Sequence, residues 1–203
     1  MTKKEIKSFF QAIREHEIQK VKDLINTDKD YLKVCNFSPP KQDDGQSGLQ
    51  VAFKTGNFEI AEFLINEGAE VNFSEKSEIN EWTAPVLHDC IRATIFNSYT
   101  LQKDLKEFEI ALSLLKLMLH KQADPSGIDS YGNNSFHRAI LDSRQMIIHP
   151  NVDMKDGILL TQLRNVFNEL IIHGADPDNG NDKRPSPRLM LTNFRLEQYE
   201  LIK

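Results

Sequence analysis

The clearest pattern of apolar and polar positions runs from Gly45 to Asn72. Leu49, Ala52 and Phe53 fall at i, i+3, i+4, and Ile60, Ala61, Leu64 and Ile65 at i, i+1, i+4, i+5. Each set gives one stripe of an amphipathic helix at the 3.6-residue period. Gly56 separates the two stripes and Gly68 follows the second. Glycine takes positive φ without strain, so these positions predict a tight reversal between the helices and a left-handed stop after the second. A helix pair of this size cannot bury both stripes alone, and the pattern therefore predicts recurrence.

It does recur. L-I-N-E-G-A-E-V-N at 64–72 returns as M-L-H-K-Q-A-D-P-S at 118–126 and as L-I-I-H-G-A-D-P-D at 170–178. G-Q-S-G-L-Q-V-A at 45–52 returns as G-N-N-S-F-H-R-A at 132–139, and more loosely as T-A-P-V-L-H-D-C at 83–90. At the N-terminus, setting Ala12 on Ala52 places His16 on Gly56, Val21 on Ala61, and Leu24 and Ile25 on Leu64 and Ile65. The charged residues filling the remaining positions suit a terminal unit covered on one side only.

On these residues the chain resembles the ankyrin repeat, with Ser47 for the family's Thr, Gly48 for its Pro and Gln50 for its His. The resemblance implies an all-α ankyrin-repeat solenoid of stacked helix-turn-helix units with projecting hairpin fingers. One domain is expected over 1–203, with repeats near 3–35, 43–76, 80–126 and 129–178 and a C-terminal cap over 182–203. Two units depart from the period of about 33 residues. Ala52 to Gly68 spans 16 positions, whereas Cys90 to Gln122 spans 32 and Ala139 to Gly174 spans 35. Insertions at about 94–108 and 144–162 are thus expected between paired helices, either lengthening both or forming a longer loop. Pro39-Pro40 predicts an extended finger, Asp156-Gly157 a turn before a helix over Ile158–His173, and Pro187–Ile202 a final single helix.

Composition narrows the function. At 203 residues, 39% hydrophobic and 27% charged, the chain has an ordinary globular balance, and its net charge of −5 argues against binding a phosphate backbone. The N-terminus carries no apolar leader core, and no window reaches a membrane span. Cys35 and Cys90 agree with a reducing compartment, so a cytoplasmic location is expected, with export by a signal-less route left open. No phosphate-cradling glycine loop, nucleophile elbow or Cys/His metal spacing occurs, so neither catalytic residues nor cofactors are assigned. Asp153, Asp156, Asp176 and Asp178 lack the regular spacing of a calcium loop.

His88 and His137 occupy the family's T-P-L-H histidine position, where the resemblance implies hydrogen bonds to the neighbouring turn. As a shared metal site they fail, because units one repeat apart sit roughly 10 Å from each other. His120 and His173 sit at helix C-termini, where charge favours the dipole.

The resemblance implies a non-enzymatic module that binds a protein partner through a concave surface of fingers and inner helices. An inhibitor, immunity-type or effector role remains open within it. Candidate contact residues are the finger-tip and inner-helix-end positions: Gln46 and Lys54; Glu81, Trp82 and Arg92; Tyr131, Asn133 and Asp142. Trp82, the sole tryptophan, either packs back under its finger or anchors the partner. Two alternatives stand beside this reading: an enzyme with a site built by the insertions, and self-association as a homodimer.

Overall fold

The computed structural model describes residues 1–37, 41–79, 81–100, 104–152, 154 and 157–202, with the backbone alone at position 42. The fold is mostly helical and divides into two compact units, Met1–Asp89 and Cys90–Lys203. The Pro39-Pro40 finger and the Asp153 and Asp156 positions lie outside the described residues.

In the first unit two helix hairpins stack. Helix α1 (Lys3–Arg14) turns into α2 (Ile18–Thr27), and α3 (Gly48–Lys54) turns into α4 (Phe58–Asn66). Helix α1 packs on α3 and α2 on α4. The predicted stripes face inward, with Leu49, Ala52, Phe53, Ile60, Ala61, Leu64 and Ile65 all buried. The N-terminal hairpin contributes Phe9, Phe10, Ala12, Ile13, Val21 and Ile25. Beyond α4, strands β1 (Ser74–Lys76) and β2 (Thr83–Pro85) pair antiparallel with Glu75 opposite Ala84, forming the expected hairpin finger.

Helix α5 (Val86–Phe96) runs from the end of the first unit into the second. There α6 (Lys106–His120) packs on α8 (Ile158–Ile172), which pairs with α7 (Ser135–Ile147), and α9 (Pro187–Asn193) lies against α7. The insertions do both things open to them: they extend the paired helices and leave loops. From the first loop the Tyr99 amide donates to the Gln162 side chain on α8 at 2.6 Å. Leu159, Leu163, Val166 and Leu170 form the buried face of α8, and Phe167 stacks on Phe136.

Helix endings repeat one geometry. After α4, Gly68 (φ 95°) donates its amide to the Ile65 carbonyl and Ala69 to the Leu64 carbonyl. The same pair of bonds ends α6 at Gln122 and Ala123, and α8 at Gly174 and Ala175. It also ends the first helix of each hairpin in unit one, at His16 and Glu17 and at Gly56 and Asn57. This is the left-handed stop that satisfies the last orphan carbonyls of a helix.

One expectation fails. The continuous helix over Pro187–Ile202 stops at Asn193, because Arg195 (φ 56°) enters the left-handed region and Leu196 bonds back to the Leu191 carbonyl. A short 3-10 turn, Glu197–Tyr199, follows. The break buries Leu196, Leu201 and Ile202, which a straight helix would spread around its circumference.

Glycine and non-glycine stops give opposite predictions. Gln122 holds φ 65° with a β-carbon, so Gln122→Gly should stabilise the chain by about 1 kcal/mol in urea unfolding. A β-carbon at Gly45 (φ 80°) would fall on the Lys76 carbonyl and within 2.8 Å of the Ser77 nitrogen, so Gly45→Ala should cost about 2–4 kcal/mol. Gly56, with open space around its missing β-carbon, should cost about 1 kcal/mol on the same change.

Candidate functional site

Each finger is fixed by a buried carboxylate. In the first unit the strand alternation turns Glu75 inward, between exposed Ser74 and Lys76, so that only 4% of it remains exposed. Its carboxylate accepts hydrogen bonds from the Gln46 and Trp82 side chains. Burial, and next the nearby charge of Asp89, push it from an ordinary 4.5 up to about 7, against the pull of those two donors and of Lys54. Asp89 in turn accepts from Gln50 at 2.9 Å. Alongside, Lys54 Nζ donates to Asp43 at 2.9 Å and to the Gln46 oxygen at 3.1 Å, and Arg14 reaches Asp43 at 2.6 Å. Burial raises Asp43, but the two cations overcome it and hold the carboxyl below its usual range. Asp44 fastens the far side of the hairpin, accepting from Ser77 Oγ at 2.9 Å and the Glu78 amide at 3.0 Å.

In the second unit Asp129 takes the corresponding role on the loop between α6 and α7. Its Oδ1 accepts the amides of Tyr131 (2.8 Å) and Asn133 (2.9 Å), and its Oδ2 the Asn133 side chain (2.9 Å). The following turn clips on from outside. Arg184 Nε donates to the Tyr131 carbonyl, Lys183 Nζ to that of Ser130, and Asn181 Nδ2 to that of Gly132. Tyr131 is thereby held on a fixed backbone with 62% of its surface exposed, beside exposed Ile128.

Helix starts carry a second recurring device. Ser47 and Gln50 form a capping box at α3, and Asn134 and His137 one at α7. His137 Nδ1 accepts the Asn134 amide, so its Nε2 carries the proton donated to the Pro185 carbonyl at 2.7 Å. This is the bond to a neighbouring turn implied by the resemblance. Burial keeps His137 below the usual imidazole value despite that bond. Gln50 works likewise, accepting the Ser47 amide and reaching on to Asp89.

The eight candidate contact residues divide. Glu81 and Arg92 are exposed, Tyr131 is largely so, and Lys54 is partly exposed but bonded to Asp43 and Gln46. Trp82 is half-buried and its indole donates to Glu75, so it is tied back into its own finger. Gln46, Asn133 and Asp142 are corrections: all three are buried, with Gln46 bonded to Lys54, the Asn133 amide nitrogen to Asp129, and Asp142 to Arg138. Asp142 is fully enclosed on α7, gripped by Arg138 at 2.9 and 3.0 Å and faced by Arg92 at 3.7 Å, while Arg92 also lies over the Phe96 ring. Burial raises Asp142 more than the two arginines lower it. Sequence reasoning placed it at an exposed helix end because the lengthened α7 carries its end five residues further. It passed over Glu75 and Asp129, since a carboxylate in a polar segment gives no periodic sign of burial.

A cavity of about 390 Å³ lies in the first unit, floored by Phe9, Tyr31, Leu64 and Phe73 and edged by Lys33 and Glu70. Its lining also includes Ser47, whose hydroxyl caps α3, and the Lys29–Glu67 ion pair. Among the described residues no group of three or more His, Cys, Asp or Glu could hold a metal ion, and no helix is long and apolar enough to cross a membrane.

The family model of the ankyrin repeat matches residues 44–76, which span Ser47, Gln50, both turn glycines and the first strand of the finger. No curated protein matches the chain.

Linkage fixes the sign of a prediction at Glu75. A carboxyl raised in the folded state opposes folding once ionised, so its penalty is absent below pH 4.5, grows towards pH 7 and is full above it. Glu75→Gln keeps an oxygen for Gln46 and Trp82 while removing the charge. It should match the wild type near pH 4 and exceed it at pH 8 by up to about 3 kcal/mol in urea unfolding.

Proposed function

We propose that this ankyrin-repeat protein is a non-enzymatic protein-binding module whose contact surface is carried on its fingers. Ankyrin repeats are in general protein–protein interaction modules and typically not enzymes, and the matched segment is one of them. We take the remaining hairpins as further repeats, over about 3–35, 80–126 and 129–178, with a cap over 182–203.

The observation that carries the reading is Tyr131. An aromatic ring left 62% exposed on a backbone locked by Asp129, Arg184 and Lys183 is a contact group whose ordering is completed on folding. Exposed aromatics in fixed positions are the groups that dominate protein interfaces. Ile128 beside it and Arg92 elsewhere in the unit supply apolar and cationic surface. The net charge of −5 favours a protein partner over a nucleic acid.

Trp82 is the poorer probe, since truncating it also strips a donor from Glu75. Immobilised wild type and Tyr131→Ala, matched by circular dichroism, should differ in capture of the bound partner. Loss of a central aromatic anchor should weaken binding about 30-fold, with Tyr131→Phe retaining most of it. Equal capture by wild type and Tyr131→Ala would remove the second unit's finger from the contact surface.

A further inference from the structure

We propose that His120 and His173 form a two-histidine clamp for a divalent transition-metal ion of the Zn²⁺ class, joining the C-terminal ends of α6 and α8. Nothing in the protein-binding reading requires this site. The two residues come from successive hairpins of the second unit, one being the last residue of α6 and the other the cap of α8. A spacing of roughly 10 Å between repeats applies to their helix axes, yet the side chains lean together until His173 Nε2 and His120 Nδ1 are 3.2 Å apart. The ring centroids are 5.2 Å apart with planes inclined at 62°.

The hydrogen bonds fix which nitrogen is available. His173 Nδ1 lies 2.8 Å from the Glu169 carbonyl, an oxygen that can only accept, so Nδ1 carries the proton and Nε2 presents its lone pair. His120 Nδ1 therefore donates to that lone pair in the metal-free pair. A backbone carbonyl holding the far N–H of a histidine is the arrangement that orients metal-ligating imidazoles. Two nitrogens bound to one ion at about 2.0–2.1 Å stand about 2.9 Å apart at a right angle and about 3.4 Å apart at the tetrahedral angle. The observed 3.2 Å lies between these limits.

Taking up the ion requires one proton to move. The His120 proton passes from Nδ1 to Nε2 through solvent, the freed Nδ1 lone pair joins that of His173 Nε2, and no net proton is released. Both helix C-termini add negative potential at the same point, which favours a cation there. Lys116, four residues before His120 on α6, is paired with Glu169 at 3.4 Å, and Lys121 caps the helix next to His120. His120 is exposed, so water or a donor from another molecule completes the coordination.

The test is calorimetric titration of the full chain with ZnCl₂ in a non-coordinating buffer, beside His120→Ala, His173→Ala and His149→Ala. The wild type and His149→Ala should bind one ion alike. Each of the other two variants should lose affinity on the order of 10-fold or more, with unchanged thermal unfolding in the absence of metal. Mg²⁺, a hard ion that avoids imidazole, should give no heat. Zn²⁺ binding that survives either His120→Ala or His173→Ala at full affinity would overturn the clamp, as would the lack of one-to-one binding by the wild type.

Discussion

The structure depends on one backbone constraint: a residue forced into the left-handed region immediately after a helix, with two amides returning to the last turn. Among the described residues this closure ends α1, α3, α4, α6, α8 and α9. It satisfies carbonyls that would otherwise face a packed neighbour, and it sets the direction in which the chain leaves. In the first unit, where these stops end α1, α3 and α4, α1 packs on α3 and α2 on α4. Glycine meets the demand at 56, 68 and 174, while His16, Gln122 and Arg195 meet it under strain. Packing of Val21, Leu115, Met118 and Leu196 offsets that strain.

Between the helices, buried carboxylates fasten the connections. Asp129 accepts two backbone amides and a side-chain amide, which closes a loop of a few residues without any ladder. Glu75 collects Gln46 and Trp82 beneath the β-hairpin, and Asp44 holds its edge. These groups are costly to bury without the donors that surround them. The consequence is a division of labour in which stripes determine stacking and carboxylates determine finger shape.

That division also explains what the sequence made legible. Periodicity located α3, α4 and α8 and their buried faces, and the glycines marked where two hairpins turn, because both signals are local. The alignment of His16 with Gly56 extended the reading to a turn with no glycine at all. Burial of polar residues is not local. Gln46, Asn133 and Asp142 look like surface positions: each bonds a residue close by in the chain (Lys54, Asp129 and Arg138), yet all three are buried, which no local pattern shows. The break after Asn193 was hidden for the same reason: only the burial of Leu196 and Leu201 shows why the chain bends there. The approach of His120 to His173 depends on side-chain lean, which a repeat period does not encode.

The locked loop around Tyr131 has a kinetic consequence. Its amides and carbonyls are already occupied by Asp129, Arg184, Lys183 and Asn181, so the loop's backbone is set before any encounter. Were this loop the contact surface we propose, recognition would proceed as rigid-body docking, limited by orientation and diffusion and not by a folding step. Differences among partners would then be expressed in how long they stay bound, while their rates of arrival remain alike.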